Sequence, residues 1–220
     1  MLTIDAQAQA TESVSHWTLA DIGSPEAVQP DYPNILGTIA LPVRAKPTST
    51  RWSKLMMASL DQPALIRLTE TARELPPVEQ VALIQSAVKH AVRSPPPHYN
   101  CSDDGYWASA NETLARGNGD CFDIAIAKME ALRLLGFPSK DLYLSTGRFG
   151  PSHESGLERE TVALLVRIGE HFWLMTEQSE QIIAANGPVA IPTEYSPILT
   201  YGDGLTWVHG RLLKVASITK

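Results

Sequence analysis

The stretch Gly117-Asn118-Gly119-Asp120-Cys121-Phe122-Asp123-Ile124-Ala125-Ile126-Ala127 decides the fold. Two glycines mark a turn and an apolar run at helical spacing follows at once, so Cys121 falls in the first turn of a helix. The free N–H groups and positive dipole end of a helix stabilise a thiolate, which makes Cys121 a candidate nucleophile. Ile124, Ala127, Leu132 and Leu135 continue one face, Lys128, Glu130 and Arg133 fill the other, and Gly136 with Pro138 supplies the stop. A rigid element of the chain therefore carries the cysteine.

Working outward, the residues before this helix read as helical and those after it as strands. Ser49 to Leu60, Pro63 to Leu75 and Val78 to Val92 predict three helices, the last with Val81, Ile84 and Val88 on one face and ended by Ser94-Pro95-Pro96-Pro97. Beyond Pro138, the segments Asp141 to Thr146, Thr161 to Ile168, Phe172 to Thr176, Gln181 to Ile183 and Thr206 to Ala216 predict an antiparallel sheet, with Gly169-Glu170 turning one hairpin. Helices first and strands later indicate an α+β fold. Residues 1–48, rich in Ala, Gln, Ser, Thr and Pro and anchored if at all by Trp17, read as an N-terminal arm, leaving residues 49–220 as the domain. The loop from Gly147 to Arg159 is long enough to carry function.

At 220 residues, with 44% apolar and 19% charged residues, the chain suffices for one core. A formal charge of -6 and a pI near 5.5 leave no electrostatic footprint for nucleic acid. No apolar run predicts a membrane-spanning helix, and the N-terminus shows no basic region followed by an apolar core, so no secretory signal is visible. Only Cys101 and Cys121 are present, which excludes a disulfide framework; both are expected to be free thiols, because a bridge would consume the nucleophile. Asp103-Asp104 reads as part of a solvated loop rather than a calcium loop, which needs spaced oxygen ligands. His90, on the third helix, reads as a surface or packing residue.

The run from Trp107-Ala108-Ser109-Ala110-Asn111-Glu112 through Gly117-Asn118-Gly119-Asp120-Cys121-Phe122-Asp123 to Leu132-Arg133-Leu134-Leu135-Gly136 resembles the bacterial transglutaminase-like cysteine peptidases. That group contains the periplasmic proteases that clip biofilm adhesins, and weaker similarity extends from Arg51-Trp52 to Trp207-Val208-His209-Gly210. The resemblance implies a papain/transglutaminase-like fold, an extended peptide or protein partner, a periplasmic location and a calcium ion held by acids flanking the cysteine. Asp120 and Asp123 match those calcium positions, but the intervening Phe122 replaces an acid, so weak or no calcium binding is expected and no other cofactor.

A thiol hydrolase also needs a base for the thiol proton and a third group to orient that base. In the resembled family a histidine begins the first strand of the hairpin and an aspartate ends the second; the same places here hold Thr161 and Thr176. His153, in the loop before the strand, is the alternative base, ahead of His171 and His209. Glu160 and Glu177 neighbour the two threonines, yet strand alternation is expected to point them away. The sequence thus supports a degenerate peptidase homologue that binds protein or peptide. The rivals are an active cysteine hydrolase using Cys121 with a relocated base, and a thiol redox role that lacks an evident resolving cysteine.

Overall fold

Prolines and caps set the helices. Pro63 and Pro77, each spending no N–H where a helix has none to use, open α2 (Pro63–Thr69) and α3 (Pro77–Ala91), and α1 (Ser49–Met57) precedes them. The computed structural model describes residues 32–43, 49–94, 101, 106–150, 159–186, 195–202 and 204–211, and Pro33–Lys220 forms one compact unit. A short 3-10 turn at Glu70–Ala72 extends α2, so the second expected helix ends three residues before Leu75. α4 (Ala110–Arg116) starts on a capping box, with Ser109 and Glu112 each accepting from the other's backbone N–H, and ends on Gly117 at φ 64. α5 (Cys121–Leu134) follows, matching the helix expected from Cys121 to about Leu135.

Seven strands form one sheet among the described residues: β1 (Ile39–Val43), β2 (Leu142–Phe149), β3 (Arg159–Ile168), β4 (His171–Met175), β5 (Ile183–Ala184), β6 (Tyr195–Gly202) and β7 (Leu205–Gly210). Their order is β1-β7-β6-β2-β3-β4-β5 and every pairing is antiparallel, which is the α+β arrangement read from the sequence. Gly169, at φ 62, turns the β3–β4 hairpin where Gly169-Glu170 was expected to do so.

Two strands were not anticipated. β1 lies inside the stretch read as an N-terminal arm and pairs with β7, and β6 follows Pro188 and Pro192, whose neighbourhood gave no clean alternation. The last strand ends at Gly210 among the described residues, and the expected continuation to Ala216 lies mostly outside them, as do Trp17, Asp103, Asp104 and His153.

The sheet has an apolar layer on each face. Leu142, Leu144, Val162, Leu164 and Val166 meet α3 and α5 on one side, while Tyr143, Ala163, Leu165 and Trp207 form a second cluster with Ile35 and Phe172 on the other. The alternation of β2 and β3 residues between these clusters is the period-two signature of strands buried on both faces.

One expectation about α5 fails. Lys128 and Glu130 were read as part of a polar face, but both are buried, and every residue from Cys121 to Leu132 is buried. The helix is central, enclosed by α2, α3, α4 and β3, so it has no solvent face over that span.

Candidate functional site

The turn entering α5 is built to hold Cys121 in place. Asp120 is the N-cap: its side chain accepts from Asp123 N at 2.9 Å, and the Asp123 carboxylate accepts from Asp120 N at 3.3 Å. A Cβ on Gly119 would stand 2.8 Å from Asp123 Cβ and 3.0 Å from Thr113 Cγ2, so only glycine lets the turn lie this close to α4 and α5. The remaining capacity of Asp123 goes to Ala108 N, 2.8 Å from Oδ1, and to the Arg116 guanidinium, 3.0 Å from Oδ2.

Cys121 is buried, and its sulfur is bonded to that of Cys101, with the two Cα atoms 5.8 Å apart. This overturns the expectation of two free thiols. Cys101 N donates to Glu160 O at 3.4 Å, so residue 101 runs beside the start of β3 and comes within disulfide reach of the α5 N-terminus despite lying 20 residues upstream. A resolving cysteine therefore exists, which the sequence reading of a redox role had lacked.

A cavity of about 210 Å3 opens beside this bond, lined by Cys101, Phe122, Gly147, Glu160, Thr161 and Tyr201 among others. Thr161 is 1% exposed, and its Oγ1 accepts from Gln178 Nε2 at 3.2 Å. The same Gln178 nitrogen donates to Glu177 Oε1 at 2.8 Å, and Glu177 is ion-paired with Arg159 at 3.3 Å. Glu177 is thus linked to Thr161 through Gln178, contrary to the alternation argument. β4 stops at Met175, so the inward–outward alternation of a strand no longer applies two residues later. Glu160, within β3, is exposed, yet it also lines the cavity, and its carbonyl accepts from Cys101 N.

Thr176 stands elsewhere. Its hydroxyl accepts from Ser179 N at 3.3 Å, and its carbonyl accepts from Gln85 Nε2 at 2.7 Å and Lys128 Nζ at 3.1 Å. It is buried behind α5 and is absent from the residues lining the cavity, whereas Thr161 and Cys101 share that lining. Burial pulls the Lys128 amine down to about 7, with the Glu177 carboxylate pulling the other way, and burial pushes Glu177 above the usual carboxylate range. Glu177 Oε2 and Gln178 Oε1 find no hydrogen-bond partner among the described residues.

None of the described histidines lines the cavity beside the Cys101–Cys121 bond. His209 is clamped between Thr38 Oγ1 at 2.7 Å and Thr200 Oγ1 at 2.8 Å, and burial drops it to about 4. His90 is bonded to Ser86 within α3, and His171 is exposed at the start of β4. Sequence reading missed Cys101, Gln178 and Lys128; for Cys101 the available signal was its being the only other cysteine in the chain.

The acids flanking Cys121 do not fit a calcium ion as they stand. A hard dication needs about six to eight oxygens. Asp123 spends its carboxylate on Ala108, Asp120 and Arg116, so a guanidinium already sits where positive charge is wanted. Asp120 is tied up in the cap, and burial raises its carboxyl above the usual range. Phe122, at the third position, brings no oxygen: its ring stacks on Trp107 with centroids 5.0 Å apart.

No protein-family model and no curated relative matches the chain in sequence. Solved structures do match in fold. The calcium-bound form of LapG from Legionella pneumophila superposes with a TM-score of 0.52 at 19% identity, over 72% of this chain and 86% of that one. A second structure of LapG from the same organism gives 0.52 at 22% identity over the same shares, and an EGTA-treated form gives 0.50 at 19%. Likeness at this level of identity shows a shared fold, so this chain has the α+β architecture of LapG.

Proposed function

We propose that this chain is a degenerate homologue of the transglutaminase-like cysteine peptidases that binds a protein or extended peptide segment at the cleft beside Cys121 without cleaving it efficiently. One observation carries the reading: where the resemblance puts the histidine, Thr161 is buried beside the cavity with its hydroxyl bonded to Gln178. A threonine hydroxyl cannot take a proton near neutral pH, and triad members act as a unit, so losing the base forfeits several powers of ten in rate. The Cys101–Cys121 bond adds to that support. The disulfide also suits an oxidising compartment, which favours the periplasmic location implied by the resemblance.

The test uses the whole chain, oxidised and reduced, with an adhesin-like polypeptide. Binding without cleavage in both states is the expected outcome. Cleavage by the reduced protein that Cys121→Ala abolishes overturns the reading. If His153→Ala abolishes it as well, the base has moved to the β2–β3 connection, whose far end, Arg159, lies two residues from Thr161.

A further inference from the structure

The two bonded cysteines occupy different surroundings, and the difference gives them different chemistry. Cys121 is 1% exposed beneath the capping turn of α5 and is absent from the cavity lining, whereas Cys101 is 7% exposed and lines the cavity of about 210 Å3. We propose that Cys101 is a thiolation site: a low-molecular-weight thiol of the cysteamine or cysteine class enters this cavity, attacks Cys101 Sγ and releases Cys121 as a thiolate. The inference rests on the reading of residue 121 as the nucleophile position only for its consequence, since the exchange itself needs no substrate.

The incoming thiol gives its proton to solvent and forms a new S–S bond to Cys101, while the Cys101–Cys121 bond breaks and its electron pair leaves on Cys121 Sγ. A second small thiol attacking the mixed disulfide releases the oxidised small-molecule disulfide and leaves Cys101 reduced. Two small thiols are oxidised and the protein bond is reduced by two electrons; the oxidised small disulfide, acting in reverse, closes it again.

Two physical terms select the sulfur attacked. Access is the first, because only Cys101 fronts the cavity. The leaving group is the second, since exchange is faster when the departing thiol is the more acidic of the pair. The Cys121 thiolate departs at the positive end of the 14-residue helix α5, whereas Cys101 lies at the end of no described helix that would stabilise its thiolate. Exchange therefore frees the sulfur at the α5 N-terminus and places the modification on Cys101 at the cavity wall. The cleft changes shape and charge at the same moment.

The experiment treats the native, oxidised chain with a limiting amount of cysteamine, traps with iodoacetamide and maps the products by mass spectrometry after trypsin. Cleavage after Arg116 separates the two cysteines into different peptides. The expected product carries cysteamine on Cys101 and the alkyl group on Cys121, in about tenfold excess over the reverse pattern. An adduct found mainly on Cys121, an even split, or a bond that yields to cysteamine only after denaturation overturns the proposal. Alkylation of both cysteines before any thiol is added overturns it too, because no bond then awaits exchange. Each of these failures leaves the binding reading intact, since that reading is decided by cleavage and capture of polypeptide.

Discussion

Reducing the Cys101–Cys121 bond removes a cross-link that closes a loop across 20 residues of chain. Both cysteine residues are largely buried, and a pair of thiols fills their space as small apolar groups, so the folded state changes little and the effect falls on the unfolded ensemble. The chain-entropy relation for a loop of this size gives about 11 cal/mol/K, or about 3 kcal/mol at room temperature. For a chain in this size range each kcal/mol moves Tm by about 2–4 °C, so reduction lowers Tm by about 6–12 °C. With an m-value of about 2 kcal/mol/M the urea midpoint falls by about 1.5 M. The assay is thermal and urea denaturation of the oxidised protein, the reduced protein and the Cys101→Ser variant, with thiol content counted on each sample. A fully reduced protein that melts within about 1 °C of the oxidised one refutes the reasoning, because no loop would then have been opened.

Four further outcomes follow from the same contacts. Lys128 has its folded-state value lowered from 10.5 to about 7, so between those limits the unfolded chain binds the extra proton and stability rises with pH; Lys128→Met should flatten that rise in urea midpoints taken at neutral and alkaline pH. Gly147→Ala places a Cβ 2.5 Å from Ser196 O and 2.7 Å from the Tyr195 ring, and should cost about 3 kcal/mol in urea denaturation, the upper end for overpacking, because strand backbone cannot give way. Calcium calorimetry should find no micromolar site at Asp120 and Asp123; micromolar affinity that disappears in Asp120→Asn would contradict the argument from the Arg116 ion pair. In a Cys101→Ser background, Thr161→His with Thr176→Asp should lower the pH at which Cys121 reacts with iodoacetamide by about one unit; an unchanged profile would show that residue 161 does not serve the thiol.

Much of this architecture is legible in the sequence because its signals are local. The glycine turn, the Asp120 cap and the apolar run specify α5 within one residue, and the prolines at 63 and 77 specify where α2 and α3 begin. β1 and β6 escape because their reasons are not local. β1 is a five-residue edge strand whose Pro42 argues against a strand and whose partner, β7, lies more than 160 residues away. The disulfide escapes for the same reason: nothing between residues 101 and 121 announces that the chain returns to the α5 N-terminus, a return fixed by the contact of Cys101 with β3. The readings at Thr161 and at Glu177 differ in kind. Thr161 is singled out by the family resemblance, which puts a histidine there, and it lines the cavity; Glu177 is set aside by an alternation that ends with β4 at Met175.

The charged residues of α5 show why a polar face on a helical wheel is an ambiguous signal. Lys128, Glu130 and Arg133 occur at positions that would suit solvent, yet each reaches a backbone group at the end of a different element. Lys128 donates to Thr176 O just past β4, Glu130 Oε2 accepts from Ala110 N in the first turn of α4, and Arg133 donates to Leu55 O and Met56 O in the last turn of α1. Helix ends leave N–H and C=O groups without intrahelical partners, and when such ends are buried against a central helix, long polar side chains on that helix are the available partners. The choice of residue follows the polarity: a carboxylate answers the positive N-terminus of α4, and a guanidinium answers the negative C-terminus of α1. Burial then raises the Glu130 carboxyl and lowers the Lys128 amine, so both are held nearer neutrality than they would be in water. The same three charges that read as solvent exposure thus tie the Cys121 helix to three neighbours, and the feature that separates the two cases is the company they keep. Between Phe122 and Leu132 only Asp123, Lys128 and Glu130 are polar, too few for a wet face and enough for one bond to each neighbouring end.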